Sequence, residues 1–306
     1  MSIISLKKAN CKHCYKCVKN CPVKSIQVVG GQAKIIEKTC VLCGTCLLVC
    51  PQHAKTLESD LSLVQGWVEE GKQVVASLAP AFTGSFEGTG KQMVSALRKL
   101  GFDKVSETAL GAAYVTTEFV RLVREEKMEH IITSCCPVVN DYIEKHHPDM
   151  LPYIAPVVSP MIAHGTLLHQ QLGPDVKVVF IGPCIAKKQE ARDIRHDSAI
   201  DAVLTFDDLA AWLSQAGVRP QDMEETPFFN ANPSIARMYP VPGGVNETVK
   251  RLMGEERTSY YNFLDITGLT NCGELFEAIR HGDMQHCFIE LNACVGGCTG
   301  GPARSE

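Results

Sequence analysis

Fifteen cysteines in 306 residues are the side chains whose type and spacing point most directly to chemistry. Eight of them fall in two copies of one pattern, Cys11-x2-Cys14-x2-Cys17-x3-Cys21-Pro22 and Cys40-x2-Cys43-x2-Cys46-x3-Cys50-Pro51. Thiolates are soft ligands, and so many at turn spacing suit iron–sulfur clusters. Zinc is the competing reading, but zinc knots pair CxxC across longer spacers and do not double a run that ends in Cys-Pro. A further pair closes the chain in Cys294-Val295-Gly296-Gly297-Cys298, where glycines let backbone approach a cluster closely. Alone, that pair reads as a glycine-rich turn with two idle thiols. The other cysteines reverse the reading.

These thiols need elements to position them, and the chain is long enough for about two domains. Its net charge of -4 and its 45% hydrophobic residues argue against disorder and against a nucleic-acid-binding face. No apolar run approaches a membrane span and the first ten residues carry no signal-peptide pattern, so the chain reads as cytoplasmic, with no membrane partner. In that compartment thiols stay reduced, and a disulfide framework is a poor account of fifteen cysteines. Residues 26–36 alternate around Gly30-Gly31 as a small hairpin. Residues 57–72 form an amphipathic connector with Leu61, Val64 and Val68 at helical spacing, short enough to pack the two parts together. Beyond it, residues 73–79, 130–133, 176–181, 199–205 and 286–291 read as strands. Residues 91–100, 112–127, 161–172, 206–215 and 247–253 read as helices, which makes an α/β domain with parallel sheet.

Three of these strands run directly into cysteine, at Cys135-Cys136-Pro137, Cys184 and Cys294. Ligands of open α/β sheets sit beyond the carboxyl ends of strands, so three thiols arrive on the expected side. Pro137 suits a first helical turn, which puts Cys136 at a helix N-terminus, where free amides favour an anionic cluster. Neighbouring residues on a helix point about 100° apart, so Cys135 and Cys136 do not share an iron. Cys136, Cys184, Cys294 and Cys298 then form a four-thiolate set, with Cys135 beside it as a free thiol able to carry a proton. Cys272 and Cys287 read as core. Gly84-x3-Gly88-x-Gly90 lacks dinucleotide-site spacing.

The doubled run resembles the two-cluster bacterial ferredoxins, in which three close thiols hold one cubane and the fourth cysteine crosses to the other. That resemblance places one 4Fe-4S cluster on Cys11, Cys14, Cys17 and Cys50, and a second on Cys40, Cys43, Cys46 and Cys21. The rest of the chain resembles the FeFe-hydrogenases, whose three signatures stand here as Thr133-Ser134-Cys135-Cys136-Pro137, Pro183-Cys184-Ile185-Ala186-Lys187-Lys188-Gln189-Glu190 and Glu290-Leu291-Asn292-Ala293-Cys294-Val295-Gly296-Gly297-Cys298. Leu78-Ala79-Pro80-Ala81 and Val241-Pro242-Gly243-Gly244-Val245 extend the likeness. The expected architecture is a small α+β ferredoxin-like domain over residues 1–57, followed by an H-cluster domain with parallel sheets over 58–306.

The resemblance implies an H-cluster, a cubane on Cys136, Cys184, Cys294 and Cys298, with Cys298 bridging to a diiron unit that bears CO, cyanide and an azadithiolate. It implies that Lys187 hydrogen-bonds a cyanide, that Ala79 and Pro80 line the diiron pocket and that Cys135 passes the proton outward, while Lys188 is the solvated lysine of the pair. The expected function is reversible H2 oxidation and proton reduction, with electrons relayed through the two ferredoxin clusters. The implied partners are H2, protons, a redox carrier such as a ferredoxin, and hydrogenase maturation proteins. Glu118 falls on one glutamate of the family's proton path, with surface exposure as its alternative reading. Val115 and Ala155 replace a second glutamate and a serine.

Other departures are Gly182 and Asn292, where high-turnover members carry methionine, and Val138-Val139 in place of Gly-Trp. This pattern resembles the sensory branch of the family, which keeps two alternatives open: slow turnover, or an H2 sensor reporting to a signalling partner. A Nar-type iron–sulfur assembly factor without the diiron unit is a third reading. The complete ferredoxin part and the Cys135-Cys136 pair disfavour it.

Overall fold

The structure is a computed structural model and describes residues 3–230, 234–254 and 260–304. The two cysteine runs lie in a small unit of β1 (Ile4–Leu6), α1 (Lys16–Asn20), β2 (Ile26–Val29), β3 (Gln32–Ile35), α2 (Thr45–Leu48) and β4 (Lys55–Leu57). β2 and β3 form the expected hairpin, and β1 pairs antiparallel with β4, so the unit's first and last strands close on each other. α3 (Leu61–Glu69) follows, with Val64 fully buried on its inner face.

The larger unit comprises β5 (Val74–Leu78), α4 (Gly90–Lys99), β6 (Lys104–Glu107), α5 (Ala109–Glu125), β7 (His130–Ile132), α6 (Pro137–His146) and α7 (Pro160–Leu172), then β8 (Lys177–Gly182), α8 (Lys187–Ala191), β9 (Ala202–Thr205) and α9 (Phe206–Gln215). It ends with α10 (Gly244–Met253), β10 (Asn262–Thr267), α11 (Leu269–Arg280) and β11 (Cys287–Asn292). Its strands divide into two parallel sheets, of order β6-β5-β8-β9 and β10-β11-β7. The central strands β5 and β8 are almost wholly buried, as continuous apolar runs in a covered parallel sheet must be. Helix starts are set locally: Thr89 and Thr205 each close a capping box, and Ser159 precedes Pro160 at the first position of α7.

Two units pack tightly against each other. Val41 is fully buried against Val138, Ala186 and Leu269. Gly44, at φ +77°, meets the closing segment so closely that a Cβ would stand 2.5 Å from Pro302 Cβ. From α6, Lys145 Nζ donates to the Cys40 carbonyl at 2.9 Å, and His146 Nε2 lies 2.8 Å from the Thr39 carbonyl. The second cysteine run is therefore clamped onto the α/β unit.

Candidate metal centres

The division into two sheets changes where the strand-borne thiols meet. Cys135 and Cys136 follow β7 and Cys294 follows β11, both in the three-stranded sheet, whereas Cys184 follows β8 in the other. The site lies between the carboxyl ends of the two sheets, in a cavity of about 110 Å³. Cys135, Cys136, Cys184, Cys294, Cys298, Lys187, Ala79 and Pro80 all line it. Cys136 precedes α6 in extended conformation with Pro137 first in the helix, as expected, and its carbonyl accepts from the N–H groups of Val139 and Asn140, each at 3.1 Å. Cys298 is held by its own N–H, which donates to the Pro240 carbonyl at 2.8 Å. Gly297, at φ +71°, makes that possible, since a Cβ there would stand 2.4 Å from the same carbonyl oxygen.

Burial and the mutual repulsion of the gathered thiols govern the electrostatics. Burial, with Cys136 next to it, pushes the Cys184 thiol up to about 11. Burial and the neighbouring Cys136 and Cys184 push Cys298 up to about 12, and Cys294 is raised in the same way. Thiols raised in this way ionise together only against cationic metal, which deprotonates a coordinating thiol outright. Among the described residues no group of three or more His, Cys, Asp or Glu side chains is arranged to hold a single metal ion. A lone zinc would draw four sulfurs to about 4 Å of one another. A donor set made only of thiols and spread around a cavity fits a cluster, whose irons each take one thiolate.

Lys187 is 8% exposed, and its Nζ donates to Glu190 Oε2 at 2.6 Å, Ser159 Oγ at 3.0 Å and the Cys135 carbonyl at 3.4 Å. Burial alone would lower its pKa; Glu190, with Cys184 and Cys298 beside it, more than offsets that and the net shift is upward, so a charged ammonium faces the cavity. Cys135 is pushed well above the ordinary thiol value by burial, with Lys187 opposing, and stays protonated.

One expectation is corrected. Lys188 is not the solvated lysine: its side chain is fully buried, and Nζ donates to the Val203 carbonyl and to Asp60 Oδ2 at 3.4 Å, tying the connector to β9. Glu118 lies on the outer face of α5, about half exposed, accepting from Arg121 Nε at 2.9 Å, and does not line the cavity. Val115 and Ala155 are buried apolar residues. Cys272 and Cys287 pack in the core beneath the three-stranded sheet, as expected.

Sequence reasoning missed two residues that line the cavity, Glu290 and Tyr239. Glu290 is 1% exposed and accepts from the N–H groups of Gly243, Val245 and Asn246 at the start of α10 and from Asn292 Nδ2. Burial raises its pKa against those bonds. A glutamate in the middle of an apolar strand was the signal for it. Tyr239, whose OH lies 2.7 Å from Thr116 Oγ1, follows residues with no legible pattern.

The eight cysteines of the small unit gather in two further cavities. Cys11, Cys14, Cys17 and Cys50 line one, and Cys21, Cys40, Cys43 and Cys46 line the other, so the fourth cysteine of each run crosses over. Burial raises Cys17, Cys40 and Cys43 and pushes Cys46 up to about 12. The second cavity is next to the large one: Cys43, Cys136, Cys184 and Ala293 pack on the same buried cluster around Val41. Cys14, at the first cavity, is exposed.

Comparison with known proteins agrees with this geometry. The family described as "Iron only hydrogenase large subunit, C-terminal domain" matches residues 72–302, and "4Fe-4S dicluster domain" matches residues 10–55, which supports iron–sulfur cofactors in both parts. The NADP-reducing hydrogenase subunit HndD of Solidesulfovibrio fructosivorans is 28% identical over 88% of this chain and 56% of its own length. Cytosolic iron-sulfur assembly component 3 of Rattus norvegicus is 25% identical over 88% of this chain and 71% of its own. This chain thus spans about half the length of the hydrogenase subunit. In fold, a variant of apo FeFe-hydrogenase HydA1 from Chlamydomonas reinhardtii superposes with a TM-score of 0.66 at 21% identity, covering 81% of this chain and 85% of that one. No helix among the described residues is long and apolar enough to cross a membrane. A family match across the whole α/β unit, with its thiols gathered at one cavity, places this chain in the FeFe-hydrogenase family, with a ferredoxin-like unit on its N-terminal side.

Proposed function

We propose that the chain is an FeFe-hydrogenase of low turnover that interconverts H2 with protons and electrons, built as a two-cluster unit over residues 1–57 and an H-cluster unit over 58–306. The observation that carries this reading is a cavity that holds more than a cubane needs: besides four thiols it contains a protonated fifth, Cys135, and the charged Lys187. Cys136, Cys184, Cys294 and Cys298 would hold the cubane, and Cys298 would join it to the diiron unit. That unit, when bound, supplies the heterolytic cleavage of H2. Lys187 offers a cationic donor suited to a cyanide nitrogen, fixed in place by Glu190 and Ser159. Ala79 and Pro80 keep the wall apolar and exclude water. Cys135 holds a proton at Sγ between the reacting centre and the protein interior.

Electrons would pass through the cavity of Cys21, Cys40, Cys43 and Cys46, which shares the buried cluster at Val41, to that of Cys11, Cys14, Cys17 and Cys50. A redox carrier would receive them, and maturation proteins would deliver the diiron unit. Asn292 and Gly182, replacing the methionines of fast relatives, favour slow turnover or an H2-sensing role with a signalling partner.

Loading the diiron cofactor and recording infrared CO and cyanide bands under H2, together with H2/D2 exchange, tests the proposal. Bands that respond to H2, with exchange, are expected. A loaded cluster indifferent to H2 overturns it, and protein that assembles its cubanes but never takes up the diiron unit favours the assembly-factor reading. Turnover with a metabolic carrier at a robust rate excludes the sensor.

A further inference from the structure

The two cysteine runs are internal copies, and the structure keeps their equivalence down to single hydrogen bonds. Four residues after its last cysteine, each run turns a backbone N–H onto that sulfur: Ser25 onto Cys21 Sγ at 3.2 Å, and Ala54 onto Cys50 Sγ at 3.3 Å. Equivalent residues therefore line equivalent walls, and the two cavities can be compared position by position. Lys12, Lys16 and Lys55 line the cavity of Cys11, Cys14, Cys17 and Cys50. Their counterparts Val41, Thr45 and Ile26 line the cavity of Cys21, Cys40, Cys43 and Cys46. The backbone plan is shared; the charge is not.

Of the three lysines, Lys12 and Lys16 are exposed, so water and salt screen their charge. Lys55 is different. It is 6% exposed, its Nζ donates to the Ala33 carbonyl at 2.9 Å, and no carboxylate pairs with it among the described residues. An ammonium taken out of water needs a counter-charge, and the thiolate-held cluster that this cavity fits is a net anion. Ile26, buried at the same place in the other copy, brings no charge to its cavity. Lys145, which reaches the Cys40 carbonyl from α6, is already paired with Asp141 at 2.6 Å.

We infer that Lys55 sets the two clusters of the small unit at different potentials, holding the outer one, at Cys11, Cys14, Cys17 and Cys50, above the inner one that adjoins the buried cluster at Val41. Gaining an electron makes a cluster more anionic, and a fixed positive charge beside it stabilises that state and raises the reduction potential. One electron then passes from the inner cluster to the outer, with no bond or proton changing hands, and comes to rest on the outer. The consequence for turnover rests on the hydrogenase reading given above: a relay that runs downhill away from the buried site favours H2 oxidation over H2 evolution.

The test is a redox titration followed by electron paramagnetic resonance, on the full-length protein carrying its 4Fe-4S clusters and no diiron unit. Cys14→Ser, which alters one outer ligand, identifies the outer midpoint, and in wild type that midpoint is expected above the inner one. Lys55→Gln keeps a donor for the Ala33 carbonyl and removes the charge; Lys55→Met removes both and keeps the apolar stem. In each, the reduced-to-oxidised ratio of the outer cluster at fixed potential should fall about tenfold or more, which for one electron is about 59 mV, with a smaller change at the inner cluster. Lys55→Arg should hold the wild-type value. A wild-type outer midpoint at or below the inner one, no fall in the two neutral variants, or a fall that Lys55→Arg shares would each overturn the assignment. These midpoints do not require the diiron unit. Failure of H2 chemistry leaves them standing, and their failure leaves the infrared and H2-exchange test standing.

Discussion

The ring of Phe180 occupies the space into which a side chain at position 182 would grow: a Cβ on Gly182 would stand 2.7 Å from the ring's Cε1 and 2.8 Å from its Cζ. Both residues lie on β8, and Phe180 lines the large cavity. The wall space beside position 182 is thus filled from two residues upstream, by a rigid aromatic ring. Overpacking a core typically costs about 1–3 kcal/mol. Gly182→Ala should therefore lower the thermal midpoint, and Gly182→Ala with Phe180→Leu should recover most of the loss. The cycle of four proteins measures the coupling. Additive effects would show that the two positions do not compete for one space.

Lys188 leads to a prediction about how the connector is held. Its ammonium is fully buried and is shared between the Val203 carbonyl and Asp60, with Asp208 at 3.9 Å; Asp60 also accepts from the Val203 N–H at 3.1 Å and from Arg192 at 3.3 Å. Removing one partner of a buried pair strands the other, at a cost of about 3–5 kcal/mol. Lys188→Met should destabilise the protein to that extent. Asp60→Asn, which keeps an acceptor and is nearer the surface, should cost less. Thermal melts of the cluster-loaded proteins check the order, and a Lys188→Met protein as stable as wild type would return the residue to the solvated role.

What the sequence made legible follows the physics of each element. Thiol spacing and strand-to-cysteine junctions are local, so the three thiol groups, Pro137 at its helix start and the Gly30-Gly31 hairpin could all be read directly. β6 could not, because its buried residues Ser106 and Glu107 are polar and mimic a loop. β10 is half exposed and α8 spans five residues, too short for a period to show. α11 did carry a signal in Leu269, Cys272, Phe276 and Ile279, whose spacing of three and four marks a buried helical face. The division into two sheets, and the burial of Lys188 in place of solvation, depend on contacts between distant segments that periodicity does not encode.

Lys187 and Glu190 form an i,i+3 pair at 2.6 Å on the shortest helix around the cavity, with both side chains nearly buried. Lys187→Met removes the only charged donor that the proposed cyanide contact requires, while leaving all twelve proposed ligand cysteines in place. Expected is a protein with normal 4Fe-4S absorption that fails to retain CO and cyanide infrared bands. Glu190→Gln keeps the lysine but loosens it, and should retain the bands with shifted cyanide frequencies. Full band intensity in Lys187→Met would remove the lysine from the site.

His164 sets a limit on stability in acid that is separate from the metal centres. It is fully buried, with Nδ1 2.7 Å from Ser77 Oγ and Nε2 2.9 Å from Ser106 Oγ, and burial lowers its pKa from 6.5 to about 3. A neutral imidazole has one donor and one acceptor, which the two hydroxyls match; an imidazolium has no counter-charge there. The unfolded chain therefore binds the proton more readily than the native one. The stability contributed by neutral His164 is complete above about pH 6.5 and is lost progressively as pH falls toward 3, by an amount on the order of 4 kcal/mol. His164→Gln keeps a donor and an acceptor but does not titrate. It should be less stable than wild type near pH 8 through poorer packing, and the difference should shrink or reverse by pH 4.5. Denaturant melts of both proteins across that range check it, and parallel stability curves would show that His164 does not titrate on unfolding.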